Sequence, residues 1–253
     1  MMRAMLVACL VATLAACEVV PQVGPQVGSQ GQTTAGGVRP TPVAAPAPAP
    51  TAGDAMGPRA AARAFVQVVD QLEPVAEREC RARSPQLNCD FLIVVDDRPG
   101  LPRNAFQTVN DNGRPIIGFT LSLIEDARNR DEIAFIMAHE AAHHIEDHLT
   151  QQRRIAVLGA SVFGQLAGDF GGTGEAVRTA QELGAIVGAR SYSKDFELEA
   201  DRLGTIIAAR AGYDPVLGSE FFFRIPDPGD QFLGTHPPNA QRIQVVRDTA
   251  AGL

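Results

Sequence analysis

The sequence predicts an α+β domain, mainly helical with a small sheet, and three observations carry that expectation. Apolar residues recur at a helical period over residues 59–83, at Phe65, Val68, Val69, Leu72, Val75 and Ala76. Short runs rich in strand-forming residues stand at 91–95, 105–109 and 115–119. Residues 133–138, Ile-Ala-Phe-Ile-Met-Ala, are apolar all round, which belongs to a helix inside a core rather than on a surface.

Ahead of that domain the chain is of another character. The single charge Arg3, an apolar stretch over 4–14 and Ala15-Ala16 have the layout of a secretory signal peptide over 1–16, too short to span a bilayer as a stable helix. Leu14-Ala15-Ala16-Cys17 resembles the lipobox of bacterial lipoproteins, so Cys17 is expected to carry lipid and tie the protein to a membrane. The alternative is ordinary cleavage beside an incidental cysteine. Residues 17–57 are rich in Pro, Gly, Gln, Ala and Thr, with a near-repeat at 21–28, and offer nothing for a packed core. They read as a disordered tether, which leaves 58–253 as the folded domain. A chain of 253 residues accommodates that plan, and a formal charge of −7 with no basic block argues against a nucleic-acid partner.

Each element of the domain has its own signal. The first helix contains Pro74, a point at which it is expected to kink or split. Asp96-Asp97-Arg98-Pro99-Gly100 stops the first strand, and Asn110-Asp111-Asn112-Gly113 reads as the turn of a hairpin between the other two. A helix over 121–127 then leads to the apolar one, for which Asn129 is the expected N-cap and Glu132 its capping-box partner. Residues 153–190 are Gly/Ala-rich and amphiphilic, broken at 168–174. They predict a helical hairpin that packs on the domain, with a cleft lid or a membrane-surface element as alternatives. Ser193 is the expected N-cap of a helix running to 211, where Gly212 supplies the C′ residue. Cys80 and Cys89, once exported to an oxidising compartment, are close enough in sequence to form a structural disulfide.

The chemistry lies in His139-Glu140-Ala141-Ala142-His143, which matches H-E-x-x-H. Residues four apart share a helix face, so His139 and His143 can hold one zinc ion. Glu140 is turned about 100° away, placed to act as general base rather than ligand. A chance match on a surface helix is the plain alternative, but two histidines and a glutamate on a buried helix are costly without a partner. A catalytic zinc needs a third protein ligand, and Glu197, opening the later helix, is the candidate. Two residues on, Glu199 points about 200° away and is left to solvent or an ordinary ion pair. His236, in a Pro-rich unit over 235–242, is the one histidine expected outside the motif helix, and on spacing alone reads as a solvated loop residue.

Taken in order, H-E-x-x-H with His148 five positions on, S-x-x-x-E-x-E-A-D-x-x-G from Ser193, and T-H-P-P-x-x-x-R-I from Thr235 resemble the HtpX/CAAX-prenyl-protease family of zinc metallopeptidases. Asn104-Ala105-Phe106 also fits. The likeness covers about residues 60–250 and departs at Ala142, where the family commonly has Gly. It implies a zincin-like fold, one Zn2+ held by His139, His143 and Glu197, Asp201 supporting a ligand histidine, and His236 and Arg242 as catalytic groups near the site. Asp201 lies one turn beyond Glu197 and shares its face, which agrees. The expectation is a membrane-tethered, zinc-dependent endopeptidase of the bacterial cell envelope, on the periplasmic side, acting on misfolded or misassembled envelope proteins. The rival is a non-catalytic envelope chaperone or assembly lipoprotein that keeps the fold. Oligomeric state and choice of membrane are not legible.

Overall fold

The computed structural model describes residues 53–191, 193–227 and 236–253, so the expected signal peptide, Cys17 and nearly all of the tether lie outside the described residues. The fold is the mainly helical α+β type the sequence predicts. Helix α1 (Pro58–Arg83) begins on a proline, whose missing N–H costs nothing at a first turn. Pro74 lies inside it, but one helix spans both sides, contrary to the expected split. Its apolar stripe, including Ala61, Phe65, Val68 and Leu72, is buried.

Strands β1 (Leu92–Asp96), β2 (Ala105–Val109) and β3 (Pro115–Thr120) form one sheet in the order β1-β3-β2. The pair β2/β3 is the expected antiparallel hairpin, with Gly113 at φ 74° in its turn, whereas β1 runs parallel to β3. The middle strand is the most buried, and Phe119 meets Phe65 of α1 edge to face at 5.2 Å. Phe106 lies across Gly118, where a Cβ would come within 2.2 Å of its ring.

Helix α2 (Leu121–Asp126) turns the chain into α3 (Arg130–Ile145), on which every residue from 132 to 139 is buried. Burying each large apolar side chain contributes about 1.5–3 kcal/mol, so Ile133, Phe135, Ile136 and Met137 hold α3 firmly in the core. Asn129 caps it, accepting from the Glu132 amide at 2.8 Å. The other half of the expected capping box is different. The Glu132 carboxylate accepts from the Arg128 amide (2.9 Å) and pairs with Arg224, because a buried carboxylate needs a cation.

Helices α4 (His148–Asp169) and α5 (Gly174–Ser191) make the predicted hairpin. Gly159, Gly184 and Gly188 let the two backbones touch, since a Cβ on Gly159 would sit 2.1 Å from the Gly184 carbonyl. Helix α6 (Ser193–Arg210) follows, with Ser193 as its first residue rather than its cap and its hydroxyl donating to the Arg190 carbonyl at 2.9 Å. Gly212, at φ 85°, ends this segment as expected. Short α7 (Pro215–Gly218), a 3₁₀ turn (Ser219–Phe223) and α8 (Asn239–Ala251) complete the fold. Cys80 and Cys89 are joined as a disulfide, their Cα atoms 5.7 Å apart. No helix of the described residues is long and apolar enough to cross a membrane.

Candidate metal centre and substrate cleft

Helix α6 crosses α3 at the motif. Gly204 makes the crossing close, for a Cβ there would meet the Cα and N of His139 at 3.0 Å. The crossing brings Glu197 over both histidines. His139 Nε2 and His143 Nε2 are 3.0 Å apart, with Glu197 Oε2 3.5 Å from the first and the other oxygen, Oε1, 3.3 Å from the second. Two ligand atoms on a tetrahedral ion with bonds of roughly 2.0–2.1 Å stand about 3.3 Å apart. All three separations fall around that value.

The donor set also suits zinc. Two imidazoles and one carboxylate are the composition of a catalytic site with an open position. Glu197 Oε2 is buried, and no donor meets it in hydrogen-bond geometry, although His236 Nδ1 and Arg242 Nη2 lie 3.0 and 3.3 Å away. Burial works against charge on Glu197, yet the three histidines around it hold its carboxyl well below the usual range. This ionised oxygen makes no hydrogen bond of good geometry, an environment that a bound metal cation would complete.

The free nitrogens of the two histidines are held differently. His139 Nδ1 lies 3.0 Å from Asp201 Oδ1. Burial disfavours charge on this imidazole, but hydrogen bonds with Asp201 and Glu197 outweigh it and push the pKa up to about 10. His143 Nδ1 instead meets His148 Nδ1 at 2.9 Å, and His148 Nε2 reaches Glu199 Oε2 at 3.1 Å. Burial, then the charge of His143, push His148 down to about 4. So His148, expected on the motif helix, opens α4, and Glu199, expected to face solvent or an ordinary ion pair, pairs with it.

Arg242 and His236 are brought to the same place with different exposure. Arg242 is buried, donating from Nε and Nη2 to the two Asp201 oxygens at 2.7 Å each, with its guanidinium 4.1 Å over the Phe222 ring. That cation, ahead of the His139 contact, keeps Asp201 ionised against the effect of burial. The His236 side chain is 52% exposed and stands at the rim. His144, next to the second motif histidine, faces away, its Nε2 2.8 Å from the Asn88 carbonyl and its ring against Phe91.

Above these groups lies a cleft of about 450 Å³. Glu140, half-buried, lines its floor with His139 and His143. Ala105, Phe106 and Gln107 of β2 line one wall, and β2 is an edge strand with no second partner strand among the described residues. Phe196, Phe221 and Phe222 add apolar lining.

Comparison with known proteins agrees with this geometry. The model of peptidase family M48 matches residues 63–250. A protein from Vibrio cholerae, a putative beta-barrel assembly-enhancing protease, is 35% identical over 140 residues, covering 49% of this chain and 28% of its own length. The beta-barrel assembly-enhancing protease of Yersinia pestis is 30% identical over 185 residues, 67% of this chain and 36% of the relative. A mitochondrial metalloendopeptidase from Arabidopsis thaliana is 25% identical over 139 residues, 52% of this chain and 27% of the relative. The chain thus spans about a third or less of the length of these relatives.

Proposed function

The chain belongs to peptidase family M48, and from that premise we propose that it is a zinc-dependent metalloendopeptidase of a bacterial cell envelope. One observation carries the reading. Three donors of zinc-site type, spaced at a tetrahedral edge, sit beneath a cleft walled by an unpaired strand edge. His139, His143 and Glu197 would hold the ion. Bound there, zinc supplies Lewis-acid activation of water and of the scissile carbonyl.

The chain's own groups supply the rest. Glu140, on the cleft floor and off the ligand face, takes the proton of the attacking water and returns it to the leaving amine nitrogen. An extended substrate adds to the free edge of β2, its main chain paired with strand residues 105–107 and its side chains alternating between the two faces of the sheet. Of the two groups that the resemblance implies as catalytic, His236 has the exposure to reach a substrate and stabilise the oxyanion. Arg242 is committed to Asp201 and acts by keeping Asp201 and Glu197 ionised and in place.

The envelope assignment draws on the leader-like residues 1–16, the lipobox-like Cys17, and the names of the bacterial relatives. Those names, which concern assembly of β-barrel proteins, support unfolded or misassembled envelope proteins as substrates. The test compares Glu140→Gln with wild type on an unfolded outer-membrane protein, with zinc content measured for both. Glu140→Gln is expected to keep its zinc and lose cleavage by at least about a hundredfold. Undiminished cleavage by the zinc-loaded variant would refute the mechanism, and a wild type that binds zinc but never cleaves would favour the assembly-factor alternative.

A further inference from the structure

His148 is more than a neighbour of the site. It is 4% exposed, its ring stacks on Phe196 of α6 (centroids 4.5 Å apart, planes at 18°), and each of its nitrogens has a polar partner. The residue before it, Asp147, has φ 55°, and is the one non-glycine with positive φ among the described residues. Such a conformation is disfavoured for a residue with a Cβ, though aspartate adopts it more readily than most. Here it forms the junction between α3 and α4, the bend after which His148 lies against His143.

The contacts admit one arrangement of protons. With His143 Nε2 given to a metal, its Nδ1 carries the hydrogen and donates. His148 Nδ1 must then accept, so its own hydrogen is on Nε2, facing Glu199. We infer that His148, oriented by Glu199, is a positioning residue that holds the His143 ring toward the metal. This rests on His143 being a ligand, as proposed above. The two ligand histidines are therefore supported unequally: His139 directly by a buried carboxylate, His143 through a neutral imidazole whose carboxylate lies at the half-exposed Glu199. Outer partners of ligand histidines fix the ring and tautomer, and losing one typically weakens metal binding 10–100-fold. If His148 merely fills space on Phe196, its nitrogens should not matter.

Two variants of the full chain separate these readings, with zinc affinity measured by competition against a chromogenic chelator. His148→Phe keeps an aromatic ring for Phe196 and removes both nitrogens, and is expected to bind zinc roughly 10–100-fold more weakly. His148→Asn places an acceptor oxygen near the position of Nδ1 and is expected to recover most of that loss. In the zinc-loaded wild type, nitrogen-15 spectra of the histidine rings should show His143 protonated on Nδ1 and His148 on Nε2 alone, a readout that needs no variant to fold. Wild-type affinity in His148→Phe, an Asn variant as weak as Phe, or a His148 proton on Nδ1 would each overturn the inference. A wild type that binds no zinc would bring down the metal-site reading as well. Normal wild-type binding with an indifferent His148→Phe removes only the role of His148.

Discussion

His139 is the residue on which metal binding and proton binding meet. Between Asp201 and Glu197 its imidazole keeps a proton up to about pH 10, whereas a metal ligand must offer a bare nitrogen. Zinc entering at neutral pH therefore expels that proton. Below the pKa each unit fall in pH cuts the deprotonated, metal-ready fraction tenfold, so apparent zinc affinity should rise about tenfold per unit between pH 6 and 8. Chelator competition at three pH values would measure the slope, and calorimetry in buffers of different ionisation enthalpy the protons released; a flat profile would contradict the geometry. Asp201→Asn carries a second expectation. It takes the charged partner from buried Arg242, and breaking such a pair costs about 3–5 kcal/mol, so urea unfolding should register a loss of that order alongside weaker zinc binding. The cluster of His139, His143 and Glu197 was legible in the sequence as a set of candidate ligands, because i, i+4 spacing and a carboxylate on a second helix are enough to nominate it. The His148–Glu199 support was not. It depends on Asp147 adopting a left-handed conformation, which aspartate tolerates but nothing in the sequence demands.

At the level of elements, the site is as precise as the crossing of α3 and α6. Gly204 sits at that crossing with no room to spare: a Cβ there would lie only 3.0 Å from the His139 Cα and N, closer than ordinary van der Waals contact. A larger side chain must push the helices apart and move Glu197 relative to both histidines. Gly204→Val is thus expected to cost about 1–3 kcal/mol through overpacking and to weaken zinc binding, where loss of stability alone would leave the folded protein's affinity intact. The Cys80–Cys89 bond ties the end of α1 to the segment before β1, closing a short loop. The chain-entropy estimate for a ring of about ten residues is roughly 2–3 kcal/mol, so Cys80→Ala with Cys89→Ala should lower the melting temperature by several degrees. The sequence foretold these elements unevenly. Helix α3 announces itself by being apolar all round and capped by Asn129, and the β2/β3 hairpin by its Asn-Asp-Asn-Gly turn. The parallel pairing of β1 with β3 left no local trace, since short apolar strands carry no record of partner or direction. Pro74 misled for a related reason: a proline removes one backbone bond, and the buried stripe of α1 on both sides is enough to carry the helix through it.

For the molecule as a whole, two features compete to carry the attachment to a membrane that the proposed function expects. One is the lipobox-like Cys17; the other is the α4–α5 hairpin, which exposes Leu158, Val162, Leu166 and, at 89%, Phe170 near its tip. Neither helix can cross a bilayer, so the hairpin could only lie in the interface. Surface-bound helices draw much of their affinity from basic residues facing anionic lipid. Here residues 155–168 carry no charge, and the hairpin's Arg153, Arg154, Arg178 and Arg190 are nearly balanced by Asp169, Glu175 and Glu182, so the electrostatic share is small. Each buried CH₂ of an acyl chain contributes about 0.8 kcal/mol, and more than one chain gives stable anchoring. The lipid should dominate. Replacing residues 1–17 by a cleavable secretory leader that leaves no cysteine is expected to move the mature protein from the membrane to the soluble fraction, while Leu166→Ser with Phe170→Ser leaves the native protein sedimenting with membranes. Fractionation with incorporation of labelled fatty acid would read both, and the reverse pattern, a leader-swapped protein still on the membrane and released only by the two serines, would transfer the anchor to the hairpin.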